Sequence, residues 1–127
     1  MADDPRKDDP TILDSDRLFR RVKPNQLVRL PDGSFRPSSD VFKNLEMSVN
    51  IESLMVGRSP EDTLKGYEDC SLTSVTAGAV RQRGPQFPIV KDNAPPNDPA
   101  HGLVLGKKPD SFGSAMARVH QWVVAPK

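Results

Sequence analysis

The feature that most limits how this chain folds is that its apolar residues fall in short runs with two different spacings. In "MSVNI", the residues Met47, Val49 and Ile51 alternate with polar ones, which is the period of a half-buried strand. Towards the C-terminus the apolar residues recur three and four positions apart, as in an amphipathic helix, at Phe112, Ala115, Met116, Val119, Trp122 and Val123. The mixture predicts an α+β fold: a small, largely antiparallel sheet with short helices and a C-terminal amphipathic helix over 112–123.

Turn residues divide the first half of the chain into further short elements. In "LPDGSF", Pro31 suits a type I turn and Gly33 suits the left-handed position of a bulged hairpin. We therefore expect a hairpin that pairs residues 26–30 with residues 34–36. The preceding "RLFRRV" predicts a first strand that begins near Leu18.

The composition of the chain changes near residue 17. Residues 1–16 contain two prolines and six aspartates, at Asp3, Asp4, Asp8, Asp9, Asp14 and Asp16. A segment with so much charge and so little apolar surface favours disorder. We therefore expect a disordered acidic tail over residues 1–16, which could serve as a flexible arm for a basic partner. Residues 17–127 have the length of one compact domain.

Charge and cysteine content exclude several classes of protein. The 18 Lys and Arg residues nearly balance the 17 Asp and Glu residues, whereas a dedicated nucleic-acid-binding domain is usually strongly basic. The single cysteine, Cys70, forms no disulfide within the chain and follows two acidic residues that blunt its reactivity. No apolar run has the length of a signal peptide or a membrane span. We therefore expect a cytoplasmic protein without membrane contact.

The two histidines are the candidate acid–base residues, because the standard phosphate-binding, dinucleotide-binding and zinc motifs are absent. His101 lies where a proline-rich loop meets an apolar strand; it either takes part in proton transfer or hydrogen-bonds the loop backbone. His120 is expected at the surface of the C-terminal helix. Neither histidine has further ligands nearby in the sequence, so we predict no metal site and no cofactor.

A basic segment follows the acidic one. Between residues 17 and 36 a single acidic residue stands against six basic ones, at Arg17, Arg20, Arg21, Lys23, Arg29 and Arg36. Phe19 and Phe35 are interleaved with them, which permits nucleic-acid binding by stacking and phosphate contacts. We favour the interpretation that these basic residues form the charged outer side of a hairpin.

An arginine on a first strand followed by a serine pair, as in "LFRRV…RPSSDVFK…MSV", resembles ADP-ribosyltransferase-like folds. That resemblance implies that arginine and serine hold a nucleotide and that a glutamate is catalytic. The glutamates available here are Glu46, Glu52, Glu61 and Glu68. The alternative is that Ser38 and Ser39 only cap a short helix.

The segments "RPSSDVFKNLEMSV", "TAGAVRQRG" and "NDPAHGLVLGKK" are similar to a family of small uncharacterised bacterial proteins, over most of residues 17–124. The resemblance implies a compact bacterial domain and brings no activity with it. The polar residues that it makes the first candidates for a shared site are Arg20, Arg21, Ser38, Ser39, Asn97 and His101.

Two functional hypotheses follow, and the lack of a catalytic motif favours the first. In the first, the protein is a binding or adaptor module that engages a protein partner through Arg17, Arg29, Arg36 and Trp122, since Trp and Arg are frequent interface anchors. In the second, it is a small enzyme or toxin-like effector that acts on a nucleotide or phosphate-bearing substrate. The second assigns catalysis to His101, Arg20 and Arg21, and substrate binding to Ser38, Ser39 and Asn97. It predicts that these residues converge on one pocket.

Overall fold

The computed structural model describes residues 6–92 and 98–126. Its elements in chain order are β1 (Arg17–Val22), β2 (Leu27–Arg29), β3 (Phe35–Pro37), β4 (Glu46–Ile51), β5 (Ser71–Thr76), α1 (Ala77–Arg81), β6 (Ile89–Lys91), β7 (His101–Leu105), α2 (Asp110–Val119) and β8 (Gln121–Val124). Short 3-10 helices span Pro24–Gln26, Ser39–Phe42, Glu52–Leu54 and Pro60–Leu64. The α+β fold with a largely antiparallel sheet is therefore confirmed.

Within the described ranges, six strands form one sheet in the order β6-β7-β4-β1-β5-β8, and every neighbouring pair is antiparallel. Strands β2 and β3 form a separate hairpin in which Leu27 lies opposite Pro37 and Arg29 opposite Phe35. This pairing confirms the predicted hairpin, shifted by about one residue. Gly33 lies in the turn with φ +89°, a backbone conformation that glycine adopts without steric strain.

The two faces of the sheet carry different cores. On one face, Leu18 and Val22 of β1 pack with Met47 and Ile51 of β4 and with Phe112 of α2. The opposite face holds a smaller cluster around Phe19, Met55, Leu72 and Ala100. Since neighbouring residues of a strand point to opposite faces, β1 contributes to both cores. The longest helix in residues 6–92 and 98–126 is α2, with ten residues, and none is long and apolar enough to cross a membrane.

The N-terminal segment differs from the predicted disordered tail over residues 6–16. Ile12 is only 1% exposed and belongs to the main core, and the amide of Asp9 donates to the carbonyl of Ile89 at 2.9 Å. Arg81 binds the carboxylates of Asp8 and Asp14. One buried side chain and several individually paired carboxylates are enough to hold the segment, which average composition does not reveal. Residues 1–5 lie outside the described residues.

The C-terminal helix is shorter than the predicted range of 112–123. It ends at Val119, and His120 then takes an extended conformation with φ −61° and ψ 155°. Trp122 and Val123 belong to β8, which pairs with β5 at the edge of the sheet. Valine and tryptophan favour strands. In the described sheet β5 pairs with β1 on one side, and β8 pairs with its other side. The helical spacing of 119, 122 and 123 is therefore coincidental.

Candidate functional site

A cavity of about 250 Å³ opens where the two central strands stop pairing. Strands β1 and β4 pair only at Leu18 with Ile51 and at Phe19 with Asn50. Beyond the last pair, Arg20 and Arg21 of β1 line the cavity on one side and Ser48 of β4 on the other. We call this space the split-strand cavity.

Arg20 ties the two diverging strands together. Its Nη1 donates to the carbonyl of Ser48 at 2.8 Å, and its Nε donates to the carbonyl of Val41 at 2.6 Å. Its Nη2 donates to Asn44 Oδ1 at 3.1 Å. All three partners are uncharged. Desolvation and the nearby charge of Arg21 lower the pKa of Arg20 to about 10.

Arg21 reaches the cavity from the opposite face of β1. Its Nη1 donates to the carbonyl of Thr63 at 3.1 Å, and its guanidinium carbon lies 3.9 Å from the centre of the Tyr67 ring. The contact with the ring is a cation–π interaction, which positions the guanidinium without neutralising it. Neither of these two partners carries a negative charge.

The charges that line the cavity in the described structure all have the same sign. Arg20, Arg21 and Lys23 all line it, and no aspartate or glutamate of the described chain does. None of these three cations forms an ion pair within 4.0 Å in residues 6–92 and 98–126. A cleft lined by charges of one sign focuses the field and concentrates counter-ions. The split-strand cavity is thus suited to an anion.

Thr63, in the 3-10 helix Pro60–Leu64, also lines the cavity. The residue is 7% exposed, and its hydroxyl has no hydrogen-bond partner in the part of the chain that the structure describes. Such groups are rare, because a buried polar group without a partner costs free energy. Its backbone carbonyl accepts from Arg21, which fixes the guanidinium against this helix.

His101 lines the cavity from β7, opposite Asn50 of β4. Its Nδ1 lies 2.8 Å from the backbone carbonyl of Asp92 and 3.3 Å from the carboxylate of the same residue. Both partners only accept hydrogen bonds, so Nδ1 carries the proton and Nε2 of the neutral ring is an acceptor. The loop contact that the sequence suggested is present, and the imidazole is oriented by it.

The predicted site residues divide into two groups. Arg20, Arg21 and His101 meet at the split-strand cavity, whereas the two serines do not line it. The Ser38 hydroxyl accepts from the Asp40 amide as a helix cap, and the Ser39 carbonyl is 2.5 Å from where a Cβ on Gly113 would lie. Ser39 therefore packs closely against α2. The prediction for Asn97 falls outside the described residues.

The geometry that the ADP-ribosyltransferase resemblance implies is not assembled here. None of the four glutamates lines the cavity that contains Arg20. Glu46 pairs with Arg6 and Glu52 with Arg17, while Glu68 accepts from the Gly66 amide. The two serines do not line that cavity either, although Arg20 donates to the Val41 carbonyl of the 3-10 helix that they begin.

The residues assigned to a protein partner have mixed surroundings. Arg17 binds Glu52 with Nη2 at 2.7 Å, and Arg36 donates to the carbonyl of Pro37. Trp122 is half-buried, and its Nε1 donates to the carbonyl of Phe35 at 3.1 Å. Arg29 is exposed. An adaptor function for this set stays a prediction.

His120 and Cys70 are half-buried, and Cys70 lines the split-strand cavity. Nδ1 of His120 lies 2.7 Å from the Thr73 hydroxyl, and burial lowers the pKa of the ring. Burial and the Asp69 carboxylate raise the pKa of the Cys70 thiol, as the acidic neighbours in the sequence suggested. Across residues 6–92 and 98–126, no group of three or more His, Cys, Asp or Glu side chains is arranged to hold a metal ion.

Sequence reasoning missed Thr63, Tyr67 and Asn44 as site residues. They come from segments far from β1 in the chain, and no motif marks them. Comparison of the chain with protein-family models, curated proteins and solved structures finds no match. The function is therefore argued from the split-strand cavity.

Proposed function

We propose that this protein is a binding module for a small phosphate-bearing or other oxyanionic ligand, held in the split-strand cavity. The observation that carries the proposal is the convergence of Arg20, Arg21 and Lys23 on a space that no carboxylate of residues 6–92 and 98–126 lines. Guanidinium groups match the geometry of phosphate and carboxylate oxygens, and lysine adds a mobile positive charge.

The electrostatic environment of Arg20 supports the same proposal. Arg20 loses part of its hydration and is repelled by Arg21, which is why its pKa lies near 10. An anion between the two guanidinium groups would relieve that repulsion and replace the lost hydration with charge-assisted hydrogen bonds. Binding of an anion should therefore stabilise the folded chain.

The volume limits the ligand. At about 250 Å³ the cavity is smaller than the roughly 300–1,000 Å³ of pockets that hold drug-sized molecules. A phosphate group with a short substituent fits this space, whereas a nucleoside triphosphate would extend far outside it.

Isothermal titration calorimetry with inorganic phosphate at low ionic strength tests the proposal. The wild type should bind one phosphate, and Arg21→Met should weaken binding by about tenfold, as expected for the loss of one charge-assisted hydrogen bond. Arg29→Met is the matched control, because it removes an exposed arginine of β2 that does not line the cavity. Equal loss in both variants, or no binding to the wild type, would contradict the proposal.

His101 supports a second candidate, a small enzyme that acts on a phosphate-bearing substrate. Its Nδ1 is held by Asp92, so Nε2 is available as a base at the cavity. The test is hydrolysis of small phosphate esters by the wild type and by His101→Gln. If His101→Gln hydrolyses the ester more slowly than the wild type but still binds phosphate, the result would support catalysis by His101. If the wild type binds phosphate without hydrolysing the ester, the enzyme hypothesis is wrong and the binding-module proposal stands.

A further inference from the structure

Asn50 and His101 form a pair of side chains at the wall of the split-strand cavity. Both residues line the cavity, and they lie directly opposite each other on β4 and β7. The side chains of directly opposite residues leave an antiparallel pair on the same face, with their Cβ atoms about 5 Å apart. On its other side Asn50 lies opposite Phe19 of β1, and Arg21, two residues along β1, leaves the sheet on that same face. The pair is therefore one strand away from a guanidinium group.

The orientation of the Asn50 amide is set by Asp98. Nδ2 of Asn50 donates to Oδ2 of Asp98 at 3.1 Å. Burial raises the pKa of Asp98, but hydrogen bonds from Arg58, from the Ala100 amide and from Asn50 outweigh burial and lower it. The carboxylate is therefore ionised near neutral pH and only accepts hydrogen bonds, so it faces the amide nitrogen of Asn50 and not the amide oxygen.

Both side chains present an acceptor that no group of residues 6–92 and 98–126 uses. Nδ1 of His101 donates to the Asp92 carbonyl, which leaves Nε2 as the acceptor of the neutral ring. Neither this Nε2 nor Oδ1 of Asn50 has a hydrogen-bond partner there, and neither is enclosed, since the one enclosed side-chain atom without a partner is the Thr63 hydroxyl. Asn50 is only 7% exposed, so its accessible oxygen faces the cavity that the residue lines.

The cations of the cavity decide which donor these two acceptors suit. Arg20, Arg21 and Lys23 line the same space, and no acid of the described residues does. A cationic donor such as an ammonium group would be repelled by these like charges. A hydroxyl group donates a hydrogen bond without carrying a charge. Two acceptors beside a group of cations therefore match a ligand that combines an anionic group with hydroxyl groups.

We infer that the split-strand cavity recognises a small hydroxylated oxyanion, whose hydroxyl groups donate to Asn50 Oδ1 and His101 Nε2 while the cations bind its anionic group. This inference rests on the proposed function and adds a second recognition element to it. It is independent of which oxyanion the cations prefer. It makes Asn50 and His101 specificity-determining residues of the cavity.

Calorimetry with glycerol phosphate and propyl phosphate tests the inference, because the two monoesters share the phosphate group and the carbon chain and differ in two hydroxyl groups. The wild type should bind glycerol phosphate about tenfold more tightly, as expected for two neutral hydrogen bonds. Equal affinities would show that this inference is wrong while the proposed function stands. If neither monoester binds and inorganic phosphate does not bind either, the proposed function itself fails.

Two variants at His101 separate recognition of the hydroxyl groups from a general loss of binding. His101→Phe keeps a ring without the acceptor and should reduce the preference for glycerol phosphate to about threefold, while propyl phosphate binds nearly as it does to the wild type. His101→Gln presents an amide oxygen and should retain more of the preference. The ratio of two affinities measured on one protein does not depend on how much of that protein is folded. An unchanged preference in His101→Phe, or an equal loss of affinity for both monoesters, would overturn the assignment of His101.

Discussion

Two basic regions of this molecule use arginine in opposite ways. Arg81 of α1 donates to the carboxylates of Asp8 and Asp14 and to the backbone carbonyl of Asp9, and so fastens the N-terminal segment. Within the described part of the chain, Arg20 donates only to uncharged oxygens, and it shares the split-strand cavity with two further cations. Acidic residues of the chain neutralise the region around Arg81, whereas the region around Arg20 keeps its positive charge within the described structure.

The pKa shifts of the two arginines express this difference. Burial lowers the pKa of Arg81, but its hydrogen bonds to Asp14 and Asp8 outweigh burial and raise it. Burial and the charge of Arg21 lower the pKa of Arg20 to about 10. Arg81 is thus paired with acids, whereas the three cations at the cavity form no ion pair among the described residues. That excess of positive charge is what the proposed anion would neutralise.

The largest effect is expected at Lys108, which lies close enough to Arg20 for that charge to lower its pKa. Lys108 is 5% exposed, and its Nζ donates to the carbonyls of Asn44, Val104 and Gly106 at 2.6–2.9 Å. Lys108→Met leaves these acceptors without their donor and should lower the free energy of unfolding by about 3 kcal/mol at pH 7, measured by urea denaturation. A variant as stable as the wild type would show that the carbonyls do not need the ammonium group.

The wild type and Lys108→Met also allow a test of the lowered pKa of Lys108. Burial and Arg20 lower the folded pKa of Lys108 to about 8, below the 10.5 of the unfolded chain. Between these values the unfolded state binds more protons, so the contribution of Lys108 to stability rises with pH. The stability difference between wild type and Lys108→Met should therefore widen from pH 8 to pH 10. A constant difference would contradict the lowered pKa.

The next effect is expected at Arg20. Arg20→Met removes one hydrogen bond to β4 and two to the segment that precedes it, and should cost about 2 kcal/mol of unfolding free energy. Phosphate affinity should fall in the same variant. Arg29→Met is again the control and should change stability by less than about 0.5 kcal/mol.

A smaller and local effect is expected at Arg81. Its side chain is 22% exposed, so the loss of its ion pairs in Arg81→Met should cost about 1 kcal/mol. Amide exchange should become faster at Asp9, whose N–H donates to Ile89. Phosphate affinity should not change, and a loss comparable to that of Arg20→Met would remove the distinction between the two regions.

The smallest effect on stability is expected at Lys23, which is exposed and lines the cavity. Lys23→Gln should leave the free energy of unfolding within about 0.5 kcal/mol of the wild type. Phosphate affinity should fall about threefold at low salt, and the difference should shrink at high ionic strength because exposed charges are screened. A difference that is independent of salt would show that Lys23 does not act through its charge.

The sequence predicts most of the sheet, because local patterns specify most of its strands. The alternation of Met47, Val49 and Ile51 and the turn at Gly33 correspond to β4 and the β2–β3 hairpin. The residues of β8 were predicted as part of the C-terminal helix. Their apolar spacing suits both a helix and a strand, and only the pairing with β5 decides between the two. The docked N-terminal segment was missed for a similar reason, since Ile12 finds its place only in the assembled core.

The candidate site was predictable only in part. Arg20, Arg21 and His101 were singled out from their residue types, and the structure brings them to one cavity. Ser38 and Ser39 looked equivalent in the sequence, but capping and packing hold them elsewhere. The cavity itself arises because β1 and β4 stop pairing after Phe19 and Asn50, a tertiary feature that no local pattern encodes. Thr63 becomes notable only when its lack of a partner is visible.

The most direct test of this contrast is a phosphate titration followed by NMR at the Nε–H groups of Arg20, Arg21 and Arg81. All three arginines carry the same charge, so they differ only in what surrounds them. We expect saturable shifts at Arg20 and Arg21 and no saturable shift at Arg81. Equal shifts at all three, or shifts that grow linearly without saturation, would show that phosphate acts only through ionic strength and that the cavity is not a binding site.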